Sequence, residues 1–200
     1  MSSPPGQESS NGPRPSSPAP EFAASPASRR GKPIVAGWAR DIAISLAVSA
    51  FFIIFLYQPV KVEGTSMMPT LQDQERVFIN KFVYKLEPIE RSDVIVFRYP
   101  RDPAKSYIKR VIAVAGDHVR IEAGVVFVNG KRLQEMYVPR MYEDVRSYPE
   151  IVIPAHGYFV LGDHRNLSND SRDFGSVDES FIYGKAVFGY WPVGKLGTLR

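Results

Sequence analysis

The sequence predicts an all-β domain preceded by one transmembrane helix and a disordered N-terminal tail. Three observations carry this reading. Prolines and serines crowd the first 36 residues, an uncharged stretch runs between Asp41 and Lys61, and short β-branched and aromatic runs then alternate with turn formers. Residues 1–36 hold Pro4, Pro5, Pro13, Pro15, Pro18, Pro20, Pro26 and Pro33 among many serines. Such a segment has too few apolar groups to offset the entropy of ordering and is expected as a disordered cytoplasmic tail.

Residues 37–60 read as an anchor helix. The uncharged part, Ile42 to Val60, is dense in Ile, Leu, Val and Phe. At roughly 1.5 Å per residue it reaches about 28 Å, close to the roughly 30 Å of a bilayer's hydrocarbon core, with Trp38 and Tyr57 placed as interfacial anchors. A buried core helix of this length should carry a polar stripe, and a cleaved leader should end on a small-x-small site where Val60-Lys61-Val62-Glu63 stands. Residues 22–41 carry Arg29, Arg30, Lys32 and Arg40, against Lys61 and Arg76 in residues 61–80. The asymmetry puts the N-terminus in the cytoplasm and residues 61–200 outside.

Within 61–200 the expected strands are Arg76–Lys81, Asp93–Arg98, Ser106–Val114, His118–Glu122, Val125–Val128, Tyr158–Leu161 and Tyr183–Phe188. Ala123-Gly124 and Asn129-Gly130 are tight-turn pairs, so residues 117–135 should form a small hairpin excursion. The absence of cysteine excludes disulfides, thiolate metal sites and a cysteine nucleophile. His118, His156 and His164 are dispersed, so no metal or other cofactor is expected. The net charge of +4 is scattered rather than gathered into a stripe, which argues against nucleic acid.

Three segments are rich in chemistry. Gly64-Thr65-Ser66-Met67-Met68-Pro69-Thr70-Leu71 sets a serine on a sharply shaped loop, where it is either a turn residue or a nucleophile in need of a base. In the expected strand 106–114, alternation puts Tyr107, Lys109, Val111 and Ala113 on one face. Lys109 then either snorkels to water or, if desolvated, becomes a base. Gly162-Asp163-His164-Arg165-Asn166-Leu167-Ser168-Asn169-Asp170-Ser171-Arg172 is a polar cluster between two strands, denser in hydrogen-bonding groups than a connection requires.

In this order, with Asp93-Val94-Ile95-Val96-Phe97 and Tyr107-Ile108-Lys109-Arg110 between them, these segments resemble the boxes of bacterial signal peptidase I, over roughly residue 38 to the end. The resemblance implies an all-β catalytic domain of the signal-peptidase-like β fold, in the branch with a reduced second domain. It implies a serine endopeptidase of the bacterial cytoplasmic membrane, single-pass and N-terminus inside, cutting signal peptides from secretory preproteins after small-x-small sequences beside the export translocon. Membrane lipid would be its other partner. By the same resemblance Ser66 is the nucleophile, Lys109 the general base and Ser168 the hydroxyl that orients the amine, while Arg110, Asp163, Asp170 and Arg172 form structural ion pairs. Tyr107 and Ile108, beside the base, would contact an added substrate strand.

Some positions depart from that pattern: His164 stands where the family usually has Asn, Asn166 where it has Asp, and Leu167 where it has Asn. Gly64 occupies a position that some members fill with a serine donating to the oxyanion. The hole here should rest on backbone N–H groups, that of Ser66 with help from Thr65. Two rival readings are a Ser66 triad with His156 or His164 and an aspartate, and a tethered β-domain that captures export substrates without cutting them.

Overall fold

The computed structural model describes residues 34–199. The tail expected over 1–36 therefore lies outside the described residues up to position 33. The helix α1 spans Ile34–Leu56, followed by β1 (Tyr57–Lys61), β2 (Arg76–Asn80), β3 (Val94–Tyr99), β4 (Asp102–Ala113) and β5 (His118–Glu122). Then come β6 (Val125–Val128), β7 (Lys131–Arg132), β8 (Tyr148–Val152), β9 (Gly157–Leu161), α2 (Ser171–Phe174), β10 (Val177–Asp178), β11 (Ile182–Trp191) and β12 (Gly197–Thr198).

The helix ends earlier than the sequence suggested, because residues 57–60 belong to β1. Pro59 explains the stop: it donates no amide hydrogen, and its ring disfavours helical backbone at Gln58. The chain divides into two units, the second beginning at Ala43. In the first, Arg40 pairs with its neighbour Asp41 at 2.9 Å. Among the described residues no helix is long and apolar enough to cross a membrane; the side chains at 52 and 54, inside the expected span, lie outside the described set.

The second unit is built on a large sheet in the order β1-β2-β11-β3-β4-β9-β10, with β12 on β11, and a small one in the order β7-β6-β5-β8. All their pairings are antiparallel. The large sheet is covered on both faces at its centre. From β3, Val94 and Val96 enter one core cluster with Val62, Met67 and Leu71, while Ile95 and Phe97 enter another with Val111 and Val160. Residues alternating across a strand point to opposite faces, so a doubly covered strand reads as a continuous apolar run. The third cluster joins Ile112, Ala113 and Phe159 of the large sheet to Val119, Ile121 and Val126 of the small one.

The 117–135 excursion supplies β5, β6 and β7, and both its turns have positive φ at their two central residues: Ala123 and Gly124, then Asn129 and Gly130. This is the type I′ geometry that suits a twisted hairpin. The sheet also recruits β8, which the sequence did not show. The expected alternation along β4 breaks after Val111, where a register shift against β9 separates Val111 from Ala113. Ala113 consequently packs in the same cluster as Ile112 rather than on the face of Tyr107.

Candidate active site

The loop after β1 is closed at its base by Val62 N–H donating to Glu75 C=O at 2.7 Å and Gln74 N–H donating to Val62 C=O at 2.9 Å. Gly64 sits at φ +95°, a conformation that favours glycine, and donates its N–H to the Asp73 carboxylate at 2.8 Å. Met68 N–H then donates to Thr65 C=O at 3.0 Å and Leu71 N–H to Met67 C=O at 2.9 Å, with Met67 and Leu71 buried as plugs. Ser66 is thereby held half-buried at the wall of a cleft of about 390 Å³, with Thr65 exposed beside it.

Lys109 reaches this wall from β4. It is 3% exposed, its Nζ lies 2.7 Å from Ser66 Oγ, and it donates to the Ile108 carbonyl at 3.0 Å. Burial pushes the amine down to about 8, against the opposing pull of the Asp170 and Asp163 charges. A base of that strength is partly neutral at physiological pH, as proton abstraction from a hydroxyl requires. Tyr107, two residues along the strand, lines the cleft, with its ring centroid 5.2 Å from the amine. Ile108 lines it too.

The neighbouring cation is held differently. Arg110 donates Nε to Asp163 Oδ1 at 2.9 Å and Nη2 to Asp163 Oδ2 at 2.7 Å, and both side chains are withdrawn from water. Thr70 Oγ1 donates to the same carboxylate at 2.6 Å, and the Tyr137 ring covers the guanidinium at 4.1 Å. Arg172 pairs with Asp170 at 2.8 Å and with Asp144 at 2.7 Å, while Asp170 accepts Gly162 N–H at 3.0 Å and caps α2. Arg165 pairs with Glu135 and donates to Gly162 C=O at 3.0 Å. Thr70, Glu135, Tyr137, Asp144 and Arg165 were not singled out as supports by sequence reasoning. Their partners are distant in the chain, and no local spacing marks them.

Ser168 is buried, and its hydroxyl finds no hydrogen-bond partner among the described residues, Lys109 included. It packs against Gly162, where an added Cβ would lie 2.2 Å from Ser168 Oγ and 2.5 Å from the Ser66 carbonyl oxygen. The two histidines of the rival triad are elsewhere. His156 is exposed and faces Glu179 at 3.2 Å. His164 bonds through Nδ1 to the Thr65 carbonyl at 3.1 Å. The Ser66 hydroxyl has the lysine as its partner.

Comparison with known proteins follows the same outline. The family model described as signal peptidase, peptidase S26, matches residues 35–191. Signal peptidase IB of Staphylococcus aureus is 38% identical over 169 residues, which cover 76% of this chain and 87% of the relative. A probable signal peptidase I-2 of Synechocystis is 39% identical over 153 residues, covering 72% of this chain and 68% of the relative. Among solved structures, a signal peptidase I from Enterococcus faecalis is 29% identical with a TM-score of 0.44, covering 50% of this chain and 97% of that one.

Proposed function

The chain belongs to the signal peptidase family S26 and has its activity, the cleavage of signal peptides from preproteins; we propose that it does so with Ser66 as nucleophile and Lys109 as general base. The observation that carries the assignment is the 2.7 Å approach of a buried, weakened amine to a hydroxyl on the cleft wall. In the neutral amine the nitrogen lone pair accepts the Ser66 proton as Oγ bonds to the scissile carbonyl carbon. The carbonyl π pair moves onto oxygen, which backbone N–H of Ser66 stabilises. Collapse breaks the C–N bond, and the Lys109 ammonium returns its proton to the leaving amine. Water, deprotonated by the same lysine, then attacks the acyl ester; collapse breaks the acyl C–Oγ bond, and the Lys109 ammonium returns its proton to Ser66 Oγ, releasing the carboxylic acid product and restoring the enzyme.

The substrate reaches this centre as an added strand. β4 pairs with β3 along Ser106 to Arg110, but with β9 only from Arg110 onward, so among the described residues the other backbone edge of Tyr107 and Ile108 has no strand beside it. An extended preprotein segment fits along that edge. Val62, Val96, Ile108 and Tyr183 line the cleft with apolar surface suited to small side chains before the scissile bond. Arg110, Asp163, Asp170 and Arg172 are assigned as supports that fix the loop bearing Ser168, whose hydroxyl would orient the amine by turning toward Lys109 when substrate is bound.

The signal peptidase I family is membrane-associated. We extend this to a single-pass anchor over residues 37–56 with the N-terminus cytoplasmic, on the strength of the uncharged stretch and the basic residues before it. The chain lacks cysteine, so Ser10→Cys and Met136→Cys provide single labels. In intact cells an impermeant maleimide should mark the second alone; equal labelling would refute the topology. The catalytic reading is tested with Ser66→Ala and a preprotein: cleavage should fall by roughly four or more orders of magnitude while the fold persists. A Ser66→Ala protein that still cuts would remove the assignment.

A further inference from the structure

We infer that His164 is a positioning residue for the oxyanion site, fixing the two peptide planes that flank Ser66; this rests on the reading of Ser66 as nucleophile. Its backbone N–H donates to the Ser66 carbonyl at 3.1 Å, and its Nδ1 contacts the Thr65 carbonyl at 3.1 Å. A carbonyl oxygen only accepts, so the ring carries its hydrogen on Nδ1. The Thr65 carbonyl and the Ser66 N–H belong to one planar peptide unit, in which turning one end turns the other. Holding that carbonyl therefore aims the N–H that must meet the oxyanion, and a bond at one end of the unit polarises the donor at the other.

The Thr65 oxygen has two lone pairs. One takes Met68 N–H, a bond within the turn itself, and the other takes His164 from a segment 99 residues away. The turn bond moves with its loop, whereas the histidine ties the peptide to the frame. The ring is itself held: it is largely buried, and the Tyr142 ring packs against it at a tilt of 48° with centroids 4.0 Å apart. Gly162, two residues earlier, leaves room for the Ser66 carbonyl, so residues 162–164 grip the nucleophile's backbone along its length.

Two substitutions separate the donor from the ring. His164→Phe keeps a ring against Tyr142 and removes the donor. His164→Asn removes the ring contact with Tyr142, yet its side-chain amide sets a donor at the position Nδ1 occupies. Turnover of a preprotein, KM, and affinity for a peptide aldehyde, which a serine nucleophile converts to a tetrahedral adduct, are measured for each. The phenylalanine variant should lose roughly tenfold in kcat, short of the roughly 10²–10³ for deleting an oxyanion donor outright. It should lose the same factor in aldehyde affinity, with KM within about twofold. The asparagine variant should stay within about threefold of the parent in all three. Wild-type turnover in His164→Phe, an equal loss in His164→Asn, or a loss confined to KM would overturn the inference. If thermal melting shows His164→Phe unfolded, His164→Met, also without a donor, takes its place under the same criteria. Ser66→Ala run alongside distinguishes the two readings: activity there defeats the nucleophile assignment, whereas an inert Ser66→Ala with full-rate His164→Phe defeats only the role of His164.

Discussion

Lys109 and Arg110 are consecutive on β4 and both are withdrawn from water, yet among the described residues a carboxylate is bound to Arg110 and none to Lys109. Arg110 holds Asp163 through two bonds, and Lys109 meets a hydroxyl and a carbonyl. The difference follows from strand geometry, which sends neighbouring side chains to opposite faces. Asp163 neutralises one cation, and the other is left as a desolvated amine whose proton is weakly held.

The rate of preprotein cleavage should therefore rise with pH along a limb centred near the value of about 8 to which burial pushes Lys109, then level off. The sign follows from the base: only the deprotonated amine accepts the Ser66 proton, so acid silences it. Lys109→Arg should be inactive across the range, since a guanidinium keeps its proton. A rate still climbing at pH 10 would show a solvated lysine instead.

The same lysine should cost stability. Its folded value lies below the 10.5 it has unfolded, so between about 8 and 10.5 the unfolded chain binds more protons and stability rises with pH. Below pH 8 the full penalty is present, on the order of 3 kcal/mol. Lys109→Met should accordingly be inactive and more stable at pH 7, with its advantage shrinking as the pH passes through 8 to 10.5. Urea denaturation at pH 7 and pH 10 measures the difference.

Breaking the Arg110–Asp163 pair should be severe, because removing one partner strands a buried charge. Asp163→Ala should lose about 3–5 kcal/mol of stability, whereas Thr70→Val, which deletes a neutral partner of the same carboxylate, should lose about 1 kcal/mol. Equal effects in denaturant titration would show that the pair is better hydrated than its exposure implies.

Ser168→Ala should separate activity from stability. The hydroxyl is buried without a partner among the described residues, so its removal should leave the melting temperature unchanged or raised by the equivalent of about 1 kcal/mol. If the hydroxyl turns toward Lys109 when substrate is bound, kcat should fall roughly 10- to 100-fold with little change in KM. Unaltered turnover would leave Ser168 no role in orienting the amine.

Gly162→Ala should damage the site from behind. The new methyl would stand 2.5 Å from the Ser66 carbonyl oxygen and 2.2 Å from Ser168 Oγ. Something must shift, and the backbone of the nucleophile loop is one of the two groups in its way. A loss of about 1–3 kcal/mol in stability is expected, together with a kcat loss that exceeds any change in KM. Normal kcat would mean that the serine side chain alone yields.

The sequence by itself determined the β character of residues 61–200, the positions of most strands and the identity of Ser66 and Lys109 as candidates. Alternating and continuous apolar runs, tight-turn pairs such as Asn129-Gly130, and the loop around Ser66 are local signals, expressed wherever the chain folds. Five of the described strands are unread in the sequence, the two-residue β7, β10 and β12 and the longer β1 and β8; β1 with Pro59 and β8 with Pro149 are sheet edges. Proline there argues against a strand locally, and only the tertiary position, with one side of the strand unpaired, makes it tolerable. Tertiary structure alone decided the rest: the 2.7 Å contact between residues 43 apart, the division of Lys109 and Arg110 into an unpaired and a paired cation, and the reach of His164 to the Thr65 carbonyl 99 residues away. Each of these depends on distance and burial between segments remote in the chain, and spacing along a sequence carries neither quantity.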